Sequence, residues 1–325
     1  MFCIDTKRGR TLKEFIKETE FFILYSLCDG VYAAISKPGQ GAWSNAGIVD
    51  LGEALLIFDS FTTPSAGDEL RRQAEDITGK KVKYLINSHY HGDHVFGNQA
   101  FIDSTIISTP LTKQWIKEKN KIGDLAKERV EMEVYLKSLK NQIEANQDRI
   151  VRASLENQFN EMTKVLNDLP NMKIVLPQVL FEEKLIIEGT KRKVELHCLG
   201  GGHTSSDTFM YLPFEKIGFM GDLVTENLHL PIYNPEEFRF ILGKVKKMDI
   251  ETFIPGHGNV GSQVMLLELV DYLSFLIDKS QEALKNKVPL EIFVSNLEVP
   301  TKYREWKGVK GIKGNLSTVY TFYTR

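Results

Sequence analysis

Apolar positions along the chain switch repeatedly between strand and helix periods, and the changes mark its elements. Between residues 22 and 57, short apolar runs rich in β-branched side chains alternate with glycine turns, at 31–35, 47–49 and 54–58. This is the grammar of a strand meander. Residues 65–78 shift to helical spacing, with Leu70, Ala74 and Ile77 on one face and Pro64 just before them as a start signal. A strand over residues 82–87 follows. Strand patterns resume at 173–176, 184–187, 194–199, 208–212, 217–220 and 252–254, so two β-rich halves are predicted.

The stretch between them, residues 111–169, contains Gly123 as its one glycine and is bracketed by Pro110 and Pro170. Apolar residues recur at Ile122, Leu125, Val130, Val134, Leu136, Leu139 and Ile143, then at Ile150, Leu155, Phe159, Met162 and Leu166. That spacing predicts helix, and the break at Asn146, Gln147 and Asp148 predicts a helical hairpin. No strict heptad survives, which disfavours a coiled coil. Two β-rich halves thus flank a helical insertion, and length leaves open one α/β domain over residues 1–325 or two smaller ones.

Composition narrows the partners. A chain of 325 residues with 42% hydrophobic and 26% charged content buries a sizeable core. Forty-one basic residues against 43 acidic ones leave a net charge of -2. No general field is available to draw in nucleic acid or an anionic membrane. Cys3, Cys28 and Cys198 show no paired spacing, so a reducing compartment and a cytoplasmic location are expected. The apolar run over residues 21–27 is too short to span a bilayer, and the first twenty residues read as a polar extension.

Three of the seven histidines crowd into one hexapeptide, His89-Tyr90-His91-Gly92-Asp93-His94, directly after the strand predicted at 82–87. Imidazole and carboxylate donors suit borderline cations such as zinc, and four of them within six residues need only a tight turn to converge. Three further segments repeat the pattern of strand, glycine-rich turn and single donor: Gly200-Gly201-Gly202-His203, Met220-Gly221-Asp222, and Ile254-Pro255-Gly256-His257-Gly258. His197, inside an apolar strand, reads as a sheet histidine. Trp43, Tyr90, His229 and Tyr233 are candidates for a substrate pocket.

A His-x-His-x-Asp-His motif followed by His, Asp and His in this order resembles the metallo-β-lactamase superfamily. The resemblance covers nearly all of the chain outside the insertion and the C-terminal tail. It implies a single domain over residues 1–325, with residues 111–169 inserted in it, folded as a four-layered αββα sandwich with a dinuclear metal site at one edge of its two sheets. His89, His91 and His203 would bind the first metal, and Asp93, His94 and His257 the second. Asp222 would bridge both, and Asp93 and Asp222 carry the catalytic assignment. Asp59 matches an acidic residue that accepts a hydrogen bond from a ligand imidazole. Two zinc ions are the expected cofactors, with iron or manganese as alternatives.

Such a pair of cations lowers the pKa of a shared water from 15.7 towards roughly 7, which implies hydrolysis of an acyl substrate: an ester, thioester, lactone or amide. Asp222 stands where one lactamase subclass has a cysteine ligand, and Thr225 where that group has a carboxylate-binding lysine, so efficient β-lactam turnover is not expected. The donor set is closer to that of hydroxyacylglutathione hydrolases and acyl-homoserine lactonases. A mononuclear-iron persulfide dioxygenase on the same scaffold is the competing class. The insertion is expected to serve as a cap over a small-molecule site or as a homodimer contact.

Overall fold

Alternation within each strand decides what lies on each side of it. The computed structural model describes residues 13–324. An eight-stranded sheet runs in chain order: β1 (Glu14–Glu18), β2 (Phe22–Cys28), β3 (Val31–Ser36), β4 (Ala46–Asp50), β5 (Leu55–Phe58), β6 (Val82–Ile86), β7 (Thr105–Ser108) and β8 (Val179–Leu180). Its first five strands are antiparallel and the last four, sharing β5, are parallel. A five-stranded sheet holds β9 (Lys184–Glu188), β10 (Lys193–Cys198), β11 (Thr208–Leu212), β12 (Ile217–Phe219) and β13 (Thr252–Ile254), antiparallel except for the parallel pair β12 and β13.

Ala33, Val49, Leu56, Phe58 and Ile86 of the first sheet face Leu196, Met210, Leu212 and Phe219 of the second, forming the core between the sheets. The alternate residues of the same strands, such as Ala34, Ile48, Leu55 and Ile57, pack outward against Ala66, Leu70 and Ala74 of helix α1 (Pro64–Thr78). On the other flank, Phe209, Tyr211 and Phe253 pack beneath two helices that follow the insertion, Pro235–Val245 and Gln263–Lys285. Strands buried on both faces carry apolar residues at successive positions. The result is the expected αββα sandwich.

Helix α2 (Gly92–Val95) sits just after β6, and the insertion contains three helices: α3 (Pro110–Lys119), α4 (Leu125–Ala145) and α5 (Arg149–Asp168). Helices α4 and α5 form the hairpin, packed on each other through Leu136, Leu139 and Leu155. Each starts on an aspartate cap, Asp124 and Asp148, whose carboxylates accept backbone N–H groups. The remaining helices are α6 (Pro235–Val245), α7 (Gln263–Lys285), α8 (Leu290–Asn296) and α9 (Gly311–Phe322).

Three expectations change. No strand forms at residues 173–176: the Gln99 side chain takes the Lys173 N–H and Asn98 takes the Val175 carbonyl, and Pro177 follows. The N-terminal stretch is not all polar extension, because residues 14–18 pair with β2 as an exposed edge strand. Cys3 lies outside the described residues. Of the insertion's apolar positions, Ile116 and Leu136 are buried, whereas Val130 and Val134 remain exposed.

Candidate metal centre

Four strand ends meet at one edge of the sandwich. The hexapeptide follows β6, with His91 at the N-terminus of α2 and Asp93 and His94 inside its single turn. His203 lies between β10 and β11, Asp222 in a 3₁₀ turn after β12, and His257 after β13. The glycines beside them permit close approach: a Cβ on Gly256 would lie 2.0 Å from Asp222 Oδ1.

The seven donors fall into two groups. One holds His89, His91, His203 and Asp222, the other Asp93, His94 and His257; within each group the donor atoms lie within 4.8 Å of one another. Asp222 stands between them. Its Oδ2 is 3.3 Å from His203 Nε2 and 3.8 Å from His89 Nε2, while its Oδ1 is 3.3 Å from His94 Nε2 and 3.4 Å from His257 Nε2. Asp93 Oδ2 completes the second group, 3.3 Å from His257 Nε2 and 3.6 Å from His94 Nε2. In the first group, His91 presents Nδ1, 3.0 Å from His203 Nε2.

Outer partners fix four of these rings with Nε2 turned inward. His94 Nδ1 is 2.8 Å from Asp59 Oδ2, which also accepts Ser88 Oγ–H, while Asp59 Oδ1 accepts the Ser88 N–H. With its proton committed to Asp59, the Ser88 hydroxyl accepts from His89 Nδ1 at 2.9 Å. His203 Nδ1 donates to the Pro231 carbonyl at 2.8 Å, and His257 Nδ1 to the Trp43 carbonyl at 3.1 Å. Such contacts set both tautomer and ring orientation. Asp59 is fully buried and adopts a left-handed φ of 62°, a conformation uncommon outside glycine.

A cluster of inward donors needs something to satisfy it. His89 Nε2 is buried with no hydrogen-bond partner, and His94 Nε2 and Asp222 Oδ1, although ion-paired at 3.3 Å, make no hydrogen bond either, which leaves these inward atoms open to an ion. Nitrogen and carboxylate donors in two groups with a carboxylate between them fit a pair of zinc-like cations.

Protonation differs across the centre. Burial pushes His89 well below the usual imidazole value and His91 down to about 4, and neighbouring histidines push both the same way. Burial also opposes charge on His94 and His257, yet the surrounding carboxylates outweigh it, Asp222 foremost. They raise His94 well above its ordinary value and His257 to about 10. Asp93 is held down at about 2, because His94 and His257 overcome the effect of burial.

Several supporting residues lack a motif. Asn45 donates to the carbonyls of Pro255 and Gly258, tying β4 to the His257 loop. Asp207 accepts the N–H groups of Gly202, His203 and Thr204, folding the His203 turn; its signal is the aspartate just after a glycine-rich turn. Of the pocket candidates, Trp43 contributes its carbonyl. Tyr90 stacks edge-on against His91 and faces Trp115 of α3, their centroids 6.1 Å apart. Tyr233 is exposed, with its N–H bonded to Gly202. His229 turns away to Tyr272 of α7, its Nδ1 2.8 Å from the phenol oxygen, and packs on Trp306. His197 stacks on Phe209 within the second sheet.

The family model described as Metallo-beta-lactamase superfamily matches residues 44–257, and the chain belongs to that superfamily. Among solved structures, it is similar to the stereoselective inverting sec-alkylsulfatase Pisa1 from Pseudomonas sp., with a TM-score of 0.67 and 15% identity over 92% of this chain. It spans only 50% of that sulfatase chain. A metallo-beta-lactamase from Pontibacter korlensis aligns with a TM-score of 0.53 and 17% identity, over 81% of this chain and 99% of its own. These likenesses speak to the fold. Among the described residues, no helix is long and apolar enough to cross a membrane.

Proposed function

We propose that this chain is a dinuclear metallohydrolase acting on a small-molecule ester, thioester, lactone or amide. The observation that carries the reading is Asp222, whose two oxygens face the two donor groups separately. His89, His91 and His203 would hold one ion, Asp93, His94 and His257 the other, with Asp222 shared. Two zinc ions there would activate a water as nucleophile near neutral pH and stabilise the oxyanion of an acyl substrate. The chain's own contribution is orientation. Asp59 holds His94 directly and His89 through Ser88, and the Pro231 and Trp43 carbonyls hold His203 and His257, so the donors are set before substrate arrives.

A second reading, hydrolysis of a sulfate ester, draws support from the alkylsulfatase likeness, which over 92% of this chain extends beyond the residues of the family match. Metal analysis and a substrate panel test both. Protein purified and supplied with zinc should carry close to two ions per chain and turn over an activated ester. Preference for a secondary alkyl sulfate over every acyl substrate would select the second reading. A zinc ratio below one rejects the dinuclear centre, and a single iron with oxygen consumption on a persulfide would place the chain among dioxygenases.

A further inference from the structure

We propose that Glu161, on the helical insertion, is a positioning residue for His257: it fixes the loop whose carbonyl orients that imidazole. The inference rests on the two-ion reading and deepens it. Glu161 lies on α5 and is fully buried. Its Oε1 accepts the Gly39 N–H and its Oε2 the Gly41 N–H, each at 2.7 Å, across some 120 residues of sequence. A carboxylate with both oxygens accepting is matched to two converging donors. Burial pushes its carboxyl up to about 7, against the pull of those two N–H groups.

The loop it grips is contorted. Gly39 and Gly41 have φ of 72° and 97°, and Trp43, which is not a glycine, has φ of 61°. Such a residue in the left-handed region persists where its surroundings hold it. Thr63 Oγ1 donates to the Gly41 carbonyl, Thr62 Oγ1 to the Ala42 carbonyl and Ser36 Oγ to the Trp43 carbonyl. Trp43 O is then aimed at His257 Nδ1. From the body of the protein the loop is held by its carbonyls at 41–43 and, beyond them, by Ser44 Oγ on the Asp93 carbonyl and the Asn45 N–H on the Gly256 carbonyl, while its N–H groups at 39 and 41 are taken by the insertion. The path from insertion to centre is Glu161, Gly39 and Gly41, Trp43, His257. It arrives at the second donor group: Trp43 O meets His257 Nδ1, and the neighbouring Ser44 Oγ donates to the Asp93 carbonyl.

The test uses full-length protein with two substitutions. Glu161→Ala removes the acceptor. Glu161→Gln keeps the volume, and with it the helix packing should the alanine variant unfold, but faces one N–H with an amide NH2. Zinc titration calorimetry on the wild type should resolve two events. Both variants should weaken one of them by about tenfold to a hundredfold, the same event that His257→Ala abolishes, and leave the other unchanged. Asp168→Ala, which breaks the α5 contact with Ser65 without touching the loop, should change neither. A second readout needs no metal: in histidine-labelled, chelated protein, the His257 Nδ1–H resonance should exchange faster in both Glu161 variants. Folded Glu161→Gln protein with wild-type zinc affinities and an unaltered His257 resonance would overturn the proposal. So would equal weakening of both events, which is general loosening. A wild type that takes up no zinc would sink the two-ion reading while the resonance still decides the role of Glu161.

Discussion

The two donor groups use the same residue type to opposite effect. His89 and His91 sit where burial and other imidazoles strip their protons, while His94 and His257 sit among Asp93, Asp222 and, for His94, Asp59. All four rings are buried or nearly so, and what separates them is the number of carboxylates in contact. His89 and His91 are therefore ready to accept a cation at neutral pH without releasing a proton. The second group is held together, before any ion arrives, by ion pairs that a cation must displace.

Asp222 stands in the first group but turns Oδ1 towards His94 and His257 of the second, so its loss should erase the comparison. Asp222→Ala is expected to reduce zinc uptake at both groups and to lower kcat/KM on the order of a thousandfold, equivalent to about 4 kcal/mol. Metal analysis after gel filtration, with ester kinetics, checks it. Retention of two tightly held ions would mean that the groups are independent sites.

A pH series sharpens the contrast. Between pH 6 and 8 the His91 ring, at about 4, is already neutral, whereas His257, at about 10, carries its proton in chelated protein. Zinc entering the first group should therefore displace no proton from His89 or His91, while the second event tightens by about tenfold per pH unit for each proton displaced. Titration in buffers of different ionisation enthalpy counts those protons. Stability follows the same sign. The folded value for His257 lies above its unfolded value of roughly 6.5, so its contribution is fully present below that pH and fades as pH rises towards 10. Chelated protein should lose melting temperature across that window, and zinc-loaded protein should not. Two events with equal pH slopes would break the distinction.

Asp59 serves both groups by different routes. Asp59→Asn should weaken both zinc events and reduce kcat, by about tenfold to a hundredfold, since His94 loses its direct partner and His89 its anchor through Ser88. Ser88→Ala should touch the first event only. If it weakened both equally, the route through Ser88 would not be specific to His89.

What could be read in advance follows from where chemistry resides. All seven donors stand in side-chain motifs at strand ends, and strands 82–86 and 208–212 announce themselves by composition, so the core of the centre was legible. The carbonyls of Trp43 and Pro231 were not, because a backbone oxygen leaves no mark on residue identity. Glu161 was not legible either: it stands four residues before the buried Val165, but a charged residue on a polar-rich helix normally reads as solvated. The missed break at Gly123 has a local cause: Asp124 caps α4 and Asn120 ends α3, donating its amide to the Tyr90 carbonyl. That contact depends on the folded hexapeptide, which no local pattern reports. The tail after His257 offered no donor motif, and its three helices matter here by covering the second sheet and by taking His229 out of the centre.

The smallest effect should come from a residue outside both groups. Trp115 of α3 faces Tyr90, which in turn lies against His91, and Lys119 Nζ stands 5.2 Å from the centroid of its ring. The tryptophan therefore stands behind Tyr90, one ring removed from His91. Trp115→Ala should leave both zinc events and their pH slopes as they are, while changing the ratio of kcat/KM for bulky and small esters by about threefold to tenfold, on the order of 1 kcal/mol of aromatic contact. Substrate competition between an aryl ester and an acetate measures that ratio directly. A loss of zinc affinity at the first group instead would show that the Tyr90 stack helps to hold His91, and the insertion would then support both groups, one through Trp115 and the other through Glu161.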